Sequence, residues 1–246
     1  MKIKGIIEAM EAYAPLELAV GWDNVGLMLG SADFEVSRVM LCVDVTDEVI
    51  DEAVKNGCQL IISHHPFIFT GLKSIDFSHA CGKGIQKLIK NDISVYSAHT
   101  NLDFASLGVN YYMNKALSEV FCSNIEEFAR KVKQKFEAVT VSIVYADGLR
   151  QDASGVKAEA NGFVSACGSF DGDFDRVINS GVNLLVTGEI KYHDVLTLSQ
   201  NGINVIEIGH FDSEKIILPY LQGFFGEKFD SVEFYLTTDK FNYIII

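Results

Sequence analysis

The chain has 246 residues, of which 48% are hydrophobic and 22% are charged, proportions that are ordinary for a globular protein. This length suffices for one large domain or two smaller lobes with buried cores. The formal net charge of −13, from 20 basic and 33 acidic residues, argues against nonspecific binding to nucleic acid, which depends on basic surface. It also disfavours polyanionic ligands unless metal ions or a local basic patch offset it.

The N-terminal segment is typical of a helix and not of a secretory signal. Ile3, Ile6, Ile7 and Met10 recur at helical spacing, with charged residues between and after them. No run of about 18 apolar residues occurs, so the sequence predicts no membrane span. The five cysteines are scattered and form no CxxC pair, which is typical of reduced thiols. We therefore expect a cytoplasmic protein whose cysteines are mostly buried.

Strands and helices alternate along the chain, which predicts an α/β protein with mainly parallel sheets. The first βαβ unit runs from a strand at 38–44 through a helix at 47–56, which Gly57 ends, to a strand at 59–63. Further helices are predicted at about 78–90, 107–120, 172–180, 191–201 and 212–224. Further strands are predicted at 93–98, 138–145, 161–166, 183–187, 204–208 and 232–238.

A lobe boundary is predicted close to the middle of the chain. Ser123 and Glu126 have the spacing of a capping box, which would open a helix that runs to about Phe136. The halves on either side repeat the alternation of strands and helices, although they show no convincing sequence repeat. We therefore predict an N-terminal α/β lobe at 1–125 and a C-terminal α/β lobe at 126–246.

Side chains that can bind metal ions cluster where four of the predicted strands end. Ligands of open α/β sheets collect at the carboxyl ends of the strands. Five of the six histidines lie in these clusters, and we interpret the sixth, His79, as polar surface. The clusters are His64 with His65, His99 with Asp103, Glu189 with His193, and His210 with Glu214.

The adjacent histidines His64 and His65 give the strongest indication of metal binding. Two imidazoles after an apolar strand are hard to hold protonated side by side, and neutral imidazole is the commonest metal-ligating side chain. The other clusters have plainer alternatives: Asp103 as a helix cap, and His210 and Glu214 as a capped helix with an incidental glutamate. Mixed imidazole and carboxylate ligands suit Zn²⁺, Mn²⁺, Fe²⁺ or Ni²⁺, and five of them fit two ions that share a carboxylate.

Two glycine-containing segments are less informative. The segment GWDNVGLMLG at 21–30 holds the only tryptophan and is interpreted either as a turn that merely packs or as part of the site. It lacks the P-loop pattern and does not follow a strand, so no phosphate-binding loop is predicted. The segment Ala166–Ser169 is interpreted as an ordinary tight turn after a strand. The sequence contains no GxSxG and no cysteine–histidine pair in a nucleophile context.

Together, these motifs resemble the family of GTP cyclohydrolase I type 2 homologues, also called Nif-three-like proteins. The matching pieces occur in the family's order and span nearly the whole chain. They are GWDNVGL at 21–27, SHHP at 63–66, HTNLD at 99–103, TGEIKYHD at 187–194 and GHFDSE at 209–214. The chain departs from the family at 166–170, where a further glycine tends to follow Cys-Gly, and this departure affects only the local loop.

The resemblance implies a two-lobe α/β fold with a two-metal centre between the lobes. The ligands carried over by motif are those that the strand ends also select: His64, His65, Asp103, His210 and Glu214. The resemblance also implies a homohexamer whose sites face an inner cavity. Larger relatives carry an inserted domain between the halves, for which the stretch from about 126 to 160 leaves little space. The apolar tail at 243–246 is interpreted either as a strand in a sheet or as part of a contact, and the strand is favoured.

The activity that the resemblance implies is hydrolysis of GTP to dihydroneopterin triphosphate and formate. Two divalent metal ions per chain, of Zn, Fe, Mn or Ni, would be the cofactors. The candidate proton-transfer residues are His193, Glu189 and His99. His193 is preferred because a helix would place it on one face with Glu189, which could then orient the imidazole. In the plainer alternative, that pair only fixes the lobe interface.

The alternative function is a noncatalytic metal-binding or partner-binding scaffold. Exchangeable water on each metal ion would favour the enzyme, and closed coordination shells would favour the scaffold. The net charge of −13 weakens GTP as the substrate, and Lys73, Lys191 and Lys215 near the motifs answer this only in part.

Overall fold

The structure, a computed structural model, describes residues 1–146 and 159–238. The chain divides into two compact units. Among the described residues, the first unit comprises 1–108 and 217–238, and the second comprises 109–146 and 159–216. The strand predicted at 243–246 lies outside the described residues.

The first unit contains a five-stranded sheet in the order β1-β4-β3-β2-β9. The strands are β1 (Gly26–Leu29), β2 (Arg38–Cys42), β3 (Leu60–Ser63), β4 (Ser94–Ser97) and β9 (Glu233–Leu236). All neighbours are parallel except β1 and β4. The helices are α1 (Ile3–Tyr13), α2 (Asp47–Lys55), α3 (Ala80–Lys90), α4 (Thr100–Phe104) and α10 (Ile217–Lys228), with a 3-10 turn at Leu16–Leu18.

The predicted βαβ unit forms as the sequence indicates. Every residue of β3 is buried, which is typical of a parallel strand covered on both faces. The hydroxyl of Thr46 caps α2 by accepting a hydrogen bond from the amide of Val49, at 3.1 Å. Gly57, with a φ of +64°, lets the chain leave the helix in a left-handed conformation.

The second unit contains a four-stranded sheet in the order β5-β8-β7-β6. The strands are β5 (Ser142–Val144), β6 (Val164–Ser169), β7 (Leu184–Glu189) and β8 (Asn204–Glu207). Only β5 of these strands runs antiparallel to its neighbour. The helices are α5 (Val109–Val120), α6 (Ile125–Lys135), α7 (Phe174–Ile178), α8 (Tyr192–Gln200) and α9 (His210–Glu214). The predicted α/β class with two mainly parallel sheets is therefore confirmed.

The course of the chain differs from the predicted lobes at 1–125 and 126–246. The chain leaves the first unit after Gly108 and returns to it from Ile217. The reason for the return is that β9 pairs in parallel with β2, a contact between distant parts of the sequence. The helix predicted at 212–224 is correspondingly two helices, α9 in the second unit and α10 in the first.

The start of α6 also differs from its prediction. The cap is Asn124, whose side-chain oxygen accepts a hydrogen bond from the amide of Glu127 at 2.8 Å. The predicted capping box of Ser123 and Glu126 is therefore wrong by one residue. Asparagine and serine both accept hydrogen bonds from the amides of a helix's first turn. The sequence pattern therefore could not distinguish Asn124 from the adjacent Ser123 as the cap.

The cysteines are all free thiols, and three of the five are buried. Cys42, Cys58 and Cys167 are buried, Cys122 is intermediate and Cys81 is exposed. Burial raises the pKa of the Cys58 thiol to about 11. The prediction of mostly buried thiols is confirmed. Within residues 1–146 and 159–238, no helix has the length and apolar content needed to cross a bilayer.

Candidate metal centre

The first unit brings three histidines together at one edge of its sheet. β3 and β4 are parallel neighbours in which Ser63 pairs with Ser97, so the segments that follow them begin at the same level. One ligand nitrogen from each of His64, His65 and His99 lies within 4.8 Å of the others. Their ring centroids are 5.1 to 5.4 Å apart. The sequence predicted that these motifs meet, because ligands collect where parallel strands end.

Each of these three rings is held through Nδ1 by an oxygen atom. The contacts are His64 Nδ1 to the carbonyl of Ala98 (2.9 Å), His65 Nδ1 to Asp44 Oδ1 (2.7 Å) and His99 Nδ1 to Asp23 Oδ1 (2.8 Å). Since these oxygens accept hydrogen bonds, they assign the proton to Nδ1 and the lone pair to Nε2. Metal-ligating histidines typically have this arrangement.

Asp103 adds a carboxylate to the three imidazoles. It lies on α4, whose first turn begins where the carbonyl of His99 accepts a hydrogen bond from the Asp103 amide, at 3.1 Å. Its Oδ1 atom is 3.5 Å from Nε2 of His64. Nδ1 of His64 bonds to the carbonyl of Ala98, so Nε2 is the ring atom that can act as a metal ligand. The first unit therefore brings together His64, His65 and Asp103 of the predicted ligand set.

Asp23 is a site residue that the sequence left undecided. Its carboxylate accepts hydrogen bonds from Nδ1 of His99 (2.8 Å) and from the amide (3.0 Å) and hydroxyl (2.5 Å) of Thr100. Burial raises the pKa of Asp23, but the hydrogen bonds from His99 and Thr100 outweigh it and lower this pKa below its usual value. Burial lowers the pKa of His99 and outweighs the opposing effect of Asp23. The GWDN segment therefore belongs to the site.

The second unit presents one imidazole between two carboxylates. His210 and Glu214 lie one turn apart on α9, with His210 Nε2 at 3.1 Å from Glu214 Oε1. Nδ1 of His210 lies 3.0 Å from Oε2 of Glu189, which repeats the arrangement seen in the first unit. Burial, with a smaller effect of the Glu189 charge, raises the pKa of the neighbouring Glu207.

Gly168 leaves room for the pair on α9. Its φ is +57°, and it lies at an irregularity in the pairing of β6 with β7. A Cβ atom at this position would lie 2.3 Å from Oε1 of Glu214 and 3.3 Å from Nε2 of His210. The prediction of an ordinary tight turn at Ala166–Ser169 is wrong, because these residues belong to β6 and their bulge brings the backbone against the donors. The only sequence signal was a glycine at the end of a strand.

Glu189 and His193 do not share a helix face. Glu189 is the last residue of β7 and α8 begins at Tyr192, so the helical spacing assumed for this pair does not exist. The carboxylate of Glu189 contacts His210, while His193 is exposed in the first turn of α8. The prediction that Glu189 orients His193 is therefore wrong.

The fold and these side chains define a class: an α/β protein with histidine–carboxylate donor sets at the ends of its strands. The model of the Duf34/NIF3 (NGG1p interacting factor 3) family matches residues 1–242, and the chain belongs to this family. A protein of Clostridium perfringens (strain 13 / Type A) named GTP cyclohydrolase 1 type 2 homolog is 33% identical, covering 99% of this chain and 100% of its own. A Helicobacter pylori (strain J99) protein named GTP cyclohydrolase 1 type 2 is 32% identical, covering 87% of each chain.

Solved structures show the same fold. Staphylococcus aureus protein SA1388 superposes with a TM-score of 0.86 at 25% identity, with 99% of each chain covered. A Bacillus cereus protein related to NIF3 gives a TM-score of 0.86 at 22% identity, covering 100% of this chain and 99% of its own. The family resemblance predicted from the motifs is therefore confirmed.

Proposed function

We propose that this protein is a metal-dependent hydrolase acting on a nucleotide, with GTP as the first substrate to test. Its ligands to two divalent ions would be His64, His65, Asp103, His210 and Glu214. The observation that carries the proposal is the common orientation of the three imidazoles in this ligand set. In each, an oxygen acceptor holds Nδ1, which leaves the lone pair on Nε2 for a metal ion.

The donor chemistry fits divalent transition metals. Imidazole and carboxylate oxygen suit Zn²⁺, Mn²⁺, Fe²⁺ or Ni²⁺, and Gly168, which has no side chain, leaves room for the carboxylate of Glu214 beside it. When bound, such ions would supply Lewis acidity and lower the pKa of the water bound to them toward neutral pH. We propose that the donors of both units serve one dinuclear centre, as the family resemblance implies.

His99 is the residue we propose for proton transfer. Asp23 fixes the ring through Nδ1, so that Nε2 carries the lone pair and can accept a proton. His193 remains the alternative. His99→Gln should lower turnover by about 10²- to 10⁴-fold with both ions retained, whereas His193→Ala should not. If His99→Gln loses metal as well, His99 is a ligand and not a proton-transfer residue.

The activity itself is tested on the metal-loaded protein. Samples loaded with Zn²⁺, Mn²⁺, Fe²⁺ or Ni²⁺ are assayed for formate release from GTP and for hydrolysis of other nucleotides. We expect turnover that a chelator abolishes and added metal restores. A fully metallated protein that hydrolyses no nucleotide would contradict the proposal and leave the metal-binding scaffold as the function.

We also propose that the protein assembles as a homohexamer. Several large apolar side chains on the described surface are about half exposed, which an assembly would cover. They include Ile75 (53%), Phe77 (50%) and Phe104 (54%). Light scattering at micromolar concentration measures the mass, and a monomer of 27.2 kDa would exclude the hexamer.

A further inference from the structure

We propose that Trp22 and Phe69 form a stacking subsite that binds the planar heteroaromatic ring of a ligand, such as a purine base, beside His99. The inference deepens the proposed function, on which its choice of ligand rests, by naming the part of the substrate that is recognised and the residues that recognise it.

The subsite consists of aromatic rings that the fold leaves exposed. Trp22, the only tryptophan of the chain, is 66% exposed, and Phe69 is 48% exposed. Their ring centroids are 5.9 Å apart, and they lie 6.2 Å and 6.3 Å from the centroid of His99. Two large rings therefore present open faces next to an imidazole of the candidate metal centre.

Both exposed rings are attached to backbone that polar contacts hold in place. Asp23, next to Trp22, accepts three hydrogen bonds from His99 and Thr100. The side-chain amide of Asn24 donates to the carbonyl of Ile68, next to Phe69, at 2.5 Å. These contacts join the two segments and order them before any ligand arrives. Rigid aromatic side chains on an ordered backbone lose little conformational entropy on binding.

The ring spacing indicates how a ligand would bind. A flat ring held between two others needs their centroids about 7 Å apart, twice the ~3.5 Å contact distance. Trp22 and Phe69 are closer than this and their planes are tilted by 45°, so a ligand ring would stack on the exposed face of one of them and contact the other at its edge. Aromatic faces favour flat π systems, and each nucleobase has such a face.

The charge of the protein favours a ring over a phosphate as the recognised group. With a net charge of −13, the chain repels anions at long range, whereas stacking on a neutral base is not opposed by this field. A second copy of the chain is the competing occupant, because exposed apolar side chains continue at Leu72, Ile75 and Phe77.

The single tryptophan provides a direct assay. The fluorescence of Trp22 is followed while guanosine is added to the metal-loaded protein and to the metal-free protein, with ribose as the control for the sugar. We expect saturable quenching by guanosine and none by ribose. Absence of quenching would overturn the proposal. So would an emission maximum that shifts to the blue with rising protein concentration and does not respond to guanosine, since a second copy would then cover the ring.

Variants locate the effect. Calorimetric titration should show guanosine binding weakened roughly ten-fold by Trp22→Leu and by Phe69→Leu, and largely kept by Trp22→Phe. Phe34→Leu is the matched control for Phe69→Leu, because Phe34 is exposed to a similar extent (45%) on the turn that bonds to the start of α1. If Phe69→Leu binds guanosine as Phe34→Leu does, Phe69 has no part in the subsite and the proposal is overturned.

The assay separates this proposal from the proposed function. Guanosine binding that depends on Trp22, in a protein that hydrolyses no nucleotide, would support the subsite and contradict only the hydrolase. Nucleotide hydrolysis with a KM that Trp22→Leu and Phe69→Leu leave unchanged would support the hydrolase and overturn the subsite.

Discussion

The two donor sets follow the same orienting principle but are built in different ways. In the first unit, three imidazoles converge from segments that follow two neighbouring parallel strands. In the second unit, a single imidazole, His210, lies between the carboxylates of Glu189 and Glu214. In both units an oxygen atom holds Nδ1. Histidine orientation is therefore retained while the supporting secondary structure changes.

This difference predicts where each set is vulnerable. The positions of His64 and His99 depend on the register of β3 with β4, which the whole sheet maintains. The positions of His210 and Glu214 depend on the five-residue helix α9 and on a backbone bulge that contains Gly168. A single backbone substitution should disturb the second set more than the first.

The largest effect is expected from Gly168→Ala. The added methyl group would meet Oε1 of Glu214 at 2.3 Å, so the Glu214 carboxylate must move and metal affinity should fall. Gly181→Ala is the matched control, because its φ is +79° but nothing lies within 4 Å of the added atom. Gly181→Ala should cost only the conformational strain, about 1–2 kcal/mol. Gly168→Ala should cost a further 1–3 kcal/mol or so, from the clash.

Urea denaturation of the metal-free proteins measures both stability costs, and metal titration measures affinity. Equal stability and equal metal affinity in the two variants would show that Gly168 has no special relation to the donors.

The next effect is expected at the carboxylates that hold the rings. Asp44→Asn in the first unit and Glu189→Gln in the second should each lower metal affinity by about 10- to 100-fold, because each replaces a charged acceptor of the Nδ1 hydrogen bond by a weaker, neutral one. Asp76→Asn is the control, since Asp76 also faces a histidine, His79, at 3.7 Å but on exposed surface. Competition with a chromophoric chelator gives the three affinities. If Asp44→Asn binds metal as tightly as Asp76→Asn, the orienting role of Asp44 is disproved.

A smaller effect is expected for Thr100→Val. It removes the hydroxyl that donates to Asp23 and accepts from the amide of Val20, so stability should fall by about 1–2 kcal/mol. Thr197→Val is the control, because Thr197 is exposed and bonds only within its own helix, to the carbonyl of His193. Thermal unfolding compares the two variants. A stability cost no larger than that of Thr197→Val would show that the hydrogen bonds around Asp23 do not stabilise the first unit.

The sequence predicted that His64, His65 and His99 lie close together, because strand ends suffice to locate them. Once β3 and β4 are parallel neighbours, the residues after them must lie at one edge of the sheet. Asp23 could not be placed in this way. It is brought to His99 through the strand that follows it, β1, which pairs antiparallel with β4 so that Gly26 faces Ser97. That pairing joins distant parts of the chain and leaves no local pattern.

The second donor set was predicted in composition but not in detail. The helical spacing of Glu189 and His193 suggested a pair, yet a strand residue and a helix residue cannot share a helix face. The role of Gly168 follows from a positive φ in a bulge, which the sequence does not reveal. Likewise, β9 joins the first sheet through a pairing with β2 that only the complete fold determines.

Metal content in single-site variants tests the central claim most directly, namely that both donor sets bind metal ions. Elemental analysis is applied to the purified wild type, to His64→Ala and to Glu214→Ala, with His79→Ala as the control for an exposed histidine. We expect two divalent ions per chain in the wild type and in His79→Ala. We expect the loss of at least one ion in each of the other two variants. Full metal content in Glu214→Ala would contradict the assignment of the second donor set.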